Sequence, residues 1–226
     1  MYRYPNAIVS IIPMGTGNDF IKSFPSLDSS SFLNLKQQLQ GRIIDVDLLK
    51  VNDKICLNIV SAGLDAEVAK HVKKFKKIPF LKGILAYHLS VIYCFFHSVK
   101  NQFQLEIDNQ KFPSNSYIFV VGANGKYYGG GYLASPNAII DDGYMDVVIV
   151  KTISRFKMLS LIGKYKKGQH DLVDTSIITH QNAKSLTISN TSPFSYNIDG
   201  EVMKTNQITI KILPKQIKIK LPKNSI

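Results

Sequence analysis

Apolar and polar residues alternate in short segments through the second half of the chain, and a period of two residues predicts β-strands. These segments are residues 103–107, 116–122, 145–150, 185–188, 194–198, 208–212 and 217–221. Turn dipeptides separate several of them, namely Asp108-Asn109, Asp142-Gly143 and Asp199-Gly200. Short strands at close spacing, interrupted by one helical pattern over residues 154–167, indicate a β-sandwich or barrel.

The first hundred residues mix strand and helix patterns. An apolar, β-branched run over residues 7–12 predicts a buried strand, and residues 42–51 and 55–61 predict two more. Helical spacing predicts helices over residues 29–40, 64–75 and 83–99, of which the last is apolar on nearly every face. The sequence therefore predicts an α+β fold, in which part of an α/β unit precedes a mostly β domain.

The composition is that of an ordered globular protein with excess positive charge. Of the 226 residues, 45% are hydrophobic and 19% charged, and the net charge is +12. Such a charge favours anionic partners. The candidates are a nucleotide, lipid headgroups and nucleic acid, and composition does not choose among them. Cys56 and Cys94 lack metal-ligand spacing and fit a reduced compartment. We expect no signal peptide, and the longest apolar stretch, residues 84–96, is too short to span a bilayer.

A glycine turn after the first predicted strand is a candidate for binding an anion. Strand, glycine turn and helix start together direct backbone N–H groups and the positive end of a helix at a phosphate. Gly15 and Gly17 allow close approach because neither has a Cβ, and Thr16 adds a hydroxyl. Asn18 and Asp19 offer side chains for capping the helix or facing a metal. Taken alone, the pattern more often marks a capped strand-to-helix turn.

Two further connections have the composition of a binding site. The glycine-rich segment over residues 122–132 suggests a wall that a ligand approaches closely, against the simpler explanation of a flexible hairpin loop. Asp141, Asp142 and Asp146 surround a tight turn, where carboxylate and carbonyl oxygens suit Mg²⁺. An ordinary Asp-Gly hairpin explains the three carboxylates equally well.

Glu201 follows the last turn dipeptide, Asp199-Gly200. A glutamate fixed at the start of a strand is able to act as a general base for a hydroxyl nucleophile. The simpler explanation is an exposed charge on a hairpin, and the residues alone favour it.

Several of these segments occur together, in this order, in one known family. Residues 13–20, Pro-Met-Gly-Thr-Gly-Asn-Asp-Phe, resemble the Pro-Leu-Gly-Thr-Gly-Asn-Asp-Phe motif of the diacylglycerol kinase catalytic family. Residues 58–66 resemble its Asn-x-x-Ser-x-Gly-Phe-Asp-Ala segment, and residues 124–131, 142–143 and 199–201 also match. The resemblance covers essentially the whole chain. It is closest to the soluble bacterial members, which phosphorylate diacylglycerol or related lipids with ATP and Mg²⁺.

The resemblance implies a domain division and a role for each site residue. Residues 1–41 would be part of the α/β ATP-binding lobe, and residues 42–226 the β-sandwich domain, whose last strands are able to return to the first lobe. Glu201 would be the base that takes the proton from the lipid hydroxyl. Nucleotide contacts would come from Thr16, Gly15, Gly17 and Asn18. The Mg²⁺ ligands would be Asp142, the backbone oxygens of Ile139 and Tyr144, and Asp19 through water.

One departure limits what the resemblance implies. The family has a Gly-Gly-Asp-Gly-Thr nucleotide motif upstream of the glycine turn, and this sequence does not contain it. We therefore expect that the first half of the nucleotide lobe is absent through truncation or a misassigned start, or is supplied by a separate polypeptide. The alternative function is a non-catalytic β domain that binds lipid or a partner.

The expected partners are ATP and a lipid substrate at the membrane surface. The protein would be cytoplasmic and peripheral at the inner face of the membrane, held there by Lys70, Lys73, Lys74, Lys76, Lys77 and Lys82. A solvated helix end explains these lysines equally well. A nucleic-acid partner is not expected, because aromatic residues do not interleave with the lysines. A homodimer stays open.

Overall fold

The alternating segments form strands, which make up most of the described structure. The computed structural model describes residues 7–15, 17–75, 77–78, 85–86, 89–90, 93–94 and 101–223. Its strands are β1 (Ile8–Ser10), β2 (Arg42–Val51), β3 (Lys54–Cys56), β4 (Ile59–Gly63), β5 (Asn101–Ile107), β6 (Gln110–Ala123), β7 (Tyr127–Tyr128), β8 (Tyr132–Leu133), β9 (Met145–Lys151), β10 (Ile178–Ala183), β11 (Ser185–Ile198) and β12 (Glu201–Leu221). Its helices are α1 (Ser29–Leu33), α2 (Leu35–Leu39), α3 (Leu64–Phe75) and α4 (Arg155–Lys166), with 3₁₀ turns at Phe20–Ser23 and His170–Leu172.

The sheet folds into two layers because its long strands pass from one layer into the other. The main order is β10-β9-β6-β4-β11-β12-β2-β3, and β5 pairs with both β6 and β11. Since β4 also pairs with both β6 and β11, the strands β4, β6, β5 and β11 form a closed ring of paired neighbours. The result is an antiparallel sandwich, with β1 added in parallel along β12.

Side chains on β9 show that one layer is buried on both faces. Met145, Val147 and Ile149 lie in the core between the layers. Val148 and Val150, which alternate with them, lie in a second apolar cluster that includes residues of α3 and α4. The helices therefore cover the outer face of this layer. A third cluster around Phe20, Phe24 and Phe32 joins the first segment to β2 and β12.

The structure corrects several predicted boundaries. The strand predicted over residues 7–12 is present but shorter, as β1, and its predicted burial is wrong, because Ile8 and Ile12 are 50% and 65% exposed. The helix predicted over residues 29–40 is two helices, because Asn34 interrupts it and caps α2 by accepting a hydrogen bond from Gln37 N. The strand predicted over residues 55–61 is divided into β3 and β4.

Other predicted elements are extended or lie partly outside the described residues. The strand pairs predicted over residues 185–198 and 208–221 are the continuous strands β11 and β12, and β10 was not predicted. In the helix predicted over residues 83–99, the described residues 85–86, 89–90 and 93–94 are helical. Helix α3 matches its predicted bounds. No helix within the described part of the chain has the length and apolar character needed to cross a bilayer.

Candidate active site

The predicted site segments leave the sheet at the same end. Ile59 at the start of β4 pairs with Ala123 at the end of β6, and Ala123 pairs with Asp146 near the start of β9. Ile198 at the end of β11 pairs with Val60 on β4. Antiparallel neighbours place these strand ends side by side. The connections that therefore lie together are residues 57–58, 124–144 and 199–200.

Asn18 closes the glycine turn of residues 14–19. Its Oδ1 accepts a hydrogen bond from Gly15 N at 3.0 Å, and its Nδ2 donates to Gly15 O at 2.7 Å. Asn18 has a φ of 46°, a left-handed conformation that asparagine tolerates. Both polar ends of the side chain therefore shape the turn. Thr16, the predicted contact to nucleotide phosphates, lies outside the described residues.

Asp19 joins this turn to the glycine-rich connection. One carboxylate oxygen accepts a hydrogen bond from Gly130 N at 2.7 Å, and the other pairs with Lys22 Nζ at 2.7 Å. A Cβ on Gly17 would lie 3.3 Å from the Asp19 Oδ2 that binds Gly130. The two glycine segments recognised in the sequence therefore meet. Among the described residues no hydrogen bond joins Asp19 to Asp142, so their link through a metal and water stays a prediction.

Two asparagines hold the glycine-rich connection against its neighbours. Asn124 is fully buried, and its Nδ2 donates to Asp47 O at 2.8 Å and to Leu57 O at 2.9 Å. The carbonyl of Asn58 accepts hydrogen bonds from the N–H groups of Asn124 and Gly125. A Cβ at Gly125 would clash with Asn58 Oδ1, and a hydrogen bond from Asn58 Nδ2 to Tyr127 O holds that side chain, so this position favours glycine. The connections are therefore fixed as one unit.

Asp47 on β2, which was not among the predicted site residues, positions the loop that contains Asp142. Its side chain is fully buried and accepts hydrogen bonds from Gly143 N and Lys215 N, both at 2.7 Å. Its own N–H donates to Ile140 O at 2.7 Å. Burial raises the pKa of Asp47, the two N–H donors oppose that rise, and the charge of Asp142 adds to it. An aspartate inside an apolar strand pattern was the available signal, because a buried carboxylate needs donors around it.

The predicted metal ligands lie on that loop. Asp142 Oδ1 accepts a hydrogen bond from Tyr144 N at 2.9 Å, and within the described residues its Oδ2 accepts none. Asp142, Ile139 and Tyr144 are all exposed. No three described histidine, cysteine, aspartate or glutamate side chains are arranged to hold a metal. A cation here would depend on one carboxylate, carbonyl oxygens and water, which are oxygen donors of the kind that Mg²⁺ takes.

Asp199 ties the last turn to the start of β4. Its Oδ2 accepts a hydrogen bond from Leu57 N at 2.8 Å, and its Oδ1 accepts from Asn58 N at 3.1 Å and Ile59 N at 3.0 Å. Asp199 and Gly200 have φ values of 47° and 96°, which a two-residue hairpin turn with positive φ at both positions requires. The turn that the sequence predicts is therefore confirmed, and it is held from outside as well as by its own geometry.

Glu201 is exposed at the first position of β12, beside open space. A cavity of about 330 Å³ is lined by Lys54, Ile55, Ile198, Asp199, Glu201 and Met203. The thiol of Cys56 donates to Asp199 Oδ1 at 3.2 Å, and burial, followed by the charge of Asp199, raises the pKa of Cys56. An accessible carboxylate on a fixed turn has the placement that a general base requires.

An apolar cavity lies on the outer face of the sandwich, between the sheet and helices α3 and α4. Its volume is about 80 Å³. The side chains around it are nonpolar or aromatic and include Leu64, Val68, Phe119, Tyr132, Met158 and Tyr165. No local pattern in the sequence predicts this cavity, because its walls come from segments far apart in the chain. Its lining suits hydrocarbon better than a charged group.

The lysines predicted to contact anionic lipid are only partly described. Lys70 forms an ion pair with Glu67 at 2.8 Å, so its charge is compensated. Lys74 and Lys77 are exposed. The side chains of the other predicted lysines lie outside the described residues, and these are Lys73, Lys76 and Lys82.

Comparison with known sequences identifies relatives along nearly the whole chain. Residues 58–221 match the family model described as the YegS C-terminal NAD kinase beta sandwich-like domain. A Shewanella frigidimarina protein named "Probable lipid kinase YegS-like" is 28% identical over 96% of this chain and 68% of its own length. A Staphylococcus epidermidis protein named "Putative lipid kinase" is 30% identical over 95% of this chain and 68% of its own length.

Solved structures with a similar fold belong to proteins described in similar terms. Two Bacillus anthracis structures, each described as "a putative diacylglycerol kinase", match with TM-scores of 0.72 and 0.69, at 25% and 26% identity. They cover 94% and 96% of this chain, which in turn covers 68% of each. The predicted α+β fold with a β-sandwich domain is confirmed, whereas the boundary between residues 41 and 42 stays a prediction.

Proposed function

This chain belongs to the family of YegS-like diacylglycerol/lipid kinases, as its ordered motifs predicted, and on that premise we propose that it transfers the γ-phosphate of ATP to the hydroxyl of diacylglycerol or a related lipid. One observation supports the proposal most directly. The glycine turn, the glycine-rich connection, the Asp142 loop and the Asp199-Gly200 turn meet at one end of the sandwich, joined by hydrogen bonds. Phosphoryl transfer depends mainly on positioning and charge neutralisation, which such an arrangement provides.

The glycine turn would bind the nucleotide phosphates. Gly15 and Gly17 leave the backbone of the turn open to a phosphate, and Asn18 holds its shape. Thr16 would add its hydroxyl at the centre of the turn. Backbone N–H groups bind a phosphate without bringing a side chain that competes for space.

The Asp142 loop would hold Mg²⁺ through Asp142 and the carbonyl oxygens of Ile139 and Tyr144, with Asp19 acting through water. The ion supplies positive charge against the phosphates when it is bound. Asp47 contributes by fixing the loop through Gly143 N and keeping its ligands in place. Few protein ligands imply weak binding completed by water molecules.

Glu201 would accept the proton of the lipid hydroxyl as that oxygen attacks the γ-phosphate. A lipid hydroxyl has a high pKa, so removing its proton during attack lowers the barrier. The apolar cavity beneath α3 and α4 offers a place for hydrocarbon from the same substrate. A lipid kinase needs both a polar reacting centre and an apolar surface for the chain of its substrate.

A phosphorylation assay with dioleoylglycerol in anionic mixed micelles tests this function. The chain is assayed alone and as a fusion with the part of the Staphylococcus epidermidis relative that it does not cover. We expect Mg²⁺-dependent formation of phosphatidic acid from the fusion. If neither form makes product while both bind the lipid, the alternative of a non-catalytic lipid-binding domain replaces the kinase.

A further inference from the structure

Helix α4 has apolar side chains on two opposite faces, and the outward face also contains Ser160 and Gly163. Met158 and Tyr165 are buried and line the apolar cavity together with Leu161. On the other side, Phe156 is 87% exposed and Leu159 is 54% exposed. At about 100° per residue, Phe156 lies nearly opposite the direction of the two buried side chains. A helix that only covered the sheet would present polar residues there.

The inner face of α4 is fixed by specific contacts. Tyr165 stacks on the ring of His170 with centroids 4.9 Å apart and an interplanar angle of 3°, and its hydroxyl lies 3.3 Å from that of Tyr128. Ser154 caps the first turn by accepting a hydrogen bond from Lys157 N. The helix is therefore not free to rotate and bury Phe156.

Basic residues flank the exposed apolar face. Helix α4 contains Arg155, Lys157, Lys164 and Lys166 and no acidic residue. The 100° spacing places Arg155 and Lys166 toward one edge of the outward face, and Lys157 and Lys164 toward the other. Two of these cations also contact the protein, because Lys164 Nζ donates a hydrogen bond to Leu172 O at 3.4 Å and Lys166 Nζ lies 5.5 Å from the centre of the Tyr132 ring. Hydrogen bonds from Ser176 lower the pKa of the Asp174 carboxyl, and the nearby charge of Lys157 adds to that shift. Leu172, which is 63% exposed, extends the apolar surface beyond the end of the helix.

We propose that the outward face of α4, together with Leu172, docks on an anionic lipid bilayer. Phe156 and Leu159 would lie among the acyl chains while the flanking cations contact the headgroups. An exposed aromatic and aliphatic face bordered by lysine and arginine is typical of helices that lie in a membrane interface, and anionic lipid complements their charge. Docking would place the cavity directly behind the helix, next to the source of hydrocarbon. The proposal deepens the proposed lipid kinase function and rests on it for the choice of lipid as partner.

Single-tryptophan variants test the docking surface without any turnover. The chain contains no tryptophan, so Phe156→Trp introduces the only one. Leu35→Trp is the matched control, because Leu35 is 73% exposed on another helix with a lysine beside it. With vesicles of phosphatidylglycerol and phosphatidylcholine, we expect a blue shift in emission and quenching by brominated lipid for Phe156→Trp alone. Pure phosphatidylcholine vesicles should produce a much smaller change.

Vesicle sedimentation measures the energetics of the same surface. Phe156→Ser with Leu159→Ser should weaken binding about ten- to a hundredfold, as expected for losing burial of an aromatic side chain. Lys157→Gln should weaken it about fivefold, and Leu35→Ser should leave it unchanged.

The proposal is overturned if the chain does not bind anionic vesicles, or if it binds them while the emission of Phe156→Trp stays constant. A blue shift that depends on protein concentration without vesicles would identify a second copy of the chain as the occupant instead. A chain that docks but transfers no phosphate would overturn the kinase function and leave the docking surface standing.

Discussion

Exchanging Asn124 for aspartate tests whether one buried side chain holds the site's connections together. The substitution keeps the size of the side chain and replaces its donor Nδ2 with an oxygen. That nitrogen donates to the carbonyls of Asp47 and Leu57 at 2.8 and 2.9 Å, and the residue is fully buried. An aspartate therefore converts two attractive contacts into repulsion between oxygens.

The size of the effect follows from these contacts. Two hydrogen bonds between neutral groups contribute about 1–3 kcal/mol to the free energy of unfolding. Burying a carboxylate without donors adds to that loss, so we expect a destabilisation of about 3–5 kcal/mol at neutral pH. Burial also raises the pKa of the new carboxyl group, so the folded state holds its proton more strongly than the unfolded state. The destabilisation should therefore be smaller in acid and grow as the pH rises through the raised pKa.

Urea unfolding followed by far-UV circular dichroism, in neutral and in mildly acidic buffer, measures both effects. Asn115→Asp is the matched control, because Asn115 is an exposed residue of β6, whose last residue directly precedes Asn124. Its free energy of unfolding should stay within about 0.5 kcal/mol of the unmodified chain. If Asn124→Asp is no less stable than Asn115→Asp, or if its stability loss does not depend on pH, the assigned hydrogen bonds do not hold the connections.

Three further predictions concern other residues. Glu201→Gln, in the fusion used for the kinase assay, should lower kcat about 10²–10⁴-fold with little change in nucleotide affinity or Tm; a rate near that of the unmodified fusion would leave Glu201 as a hairpin charge. Asp142→Asn should weaken Mn²⁺ binding measured by calorimetry, whereas Asp141→Asn in the same loop should not, and equal affinities would remove the site. Burial raises the pKa of Cys94 to about 12 and that of Cys56 well above its ordinary value, so both thiols should react with a disulfide reagent only after unfolding in urea. Fast reaction of the folded chain would contradict the burial of these thiols. Because the thiols lose their protons at lower pH in the unfolded chain than in the folded one, the free energy of unfolding should also fall as the pH rises past the ordinary thiol pKa.

Strands were predictable from the sequence where buried and more exposed side chains alternate, as in β5 and the second half of β12. Their ends were less predictable, because long-range contacts decide them. The segment at residues 57–59 looks like part of a strand, yet its N–H groups donate to Asp199, which is 140 to 142 residues away. Asn34 interrupts a helical pattern because its side chain caps the following helix by accepting a hydrogen bond from Gln37 N. Local periodicity contains neither piece of information.

The site was predictable in its motifs and not in its contacts. Glycine turns and Asp-Gly dipeptides stand out because few backbone conformations require those residues. Asp47 is marked only as a polar residue in an apolar strand pattern and Asn124 is not marked at all, since their roles depend on donors and acceptors elsewhere in the fold. Asp47 accepts a hydrogen bond from Lys215, 168 residues along the chain. The apolar cavity and the two faces of α4 likewise need the packed structure, because a helical pattern alone does not show which face the sheet covers.

The polar residues of the site divide into two groups by what their side chains bind. The first group binds backbone atoms almost exclusively, and these residues are Asn18, Asp47, Asn58, Asn124 and Asp199. Such contacts determine where the connections lie and leave little capacity for a ligand. The second group keeps accessible atoms, with Oδ2 of Asp142 and the carboxylate of Glu201 as its clearest members. Substitutions in the first group should therefore change stability before activity, and substitutions in the second should change metal binding or turnover while the fold persists.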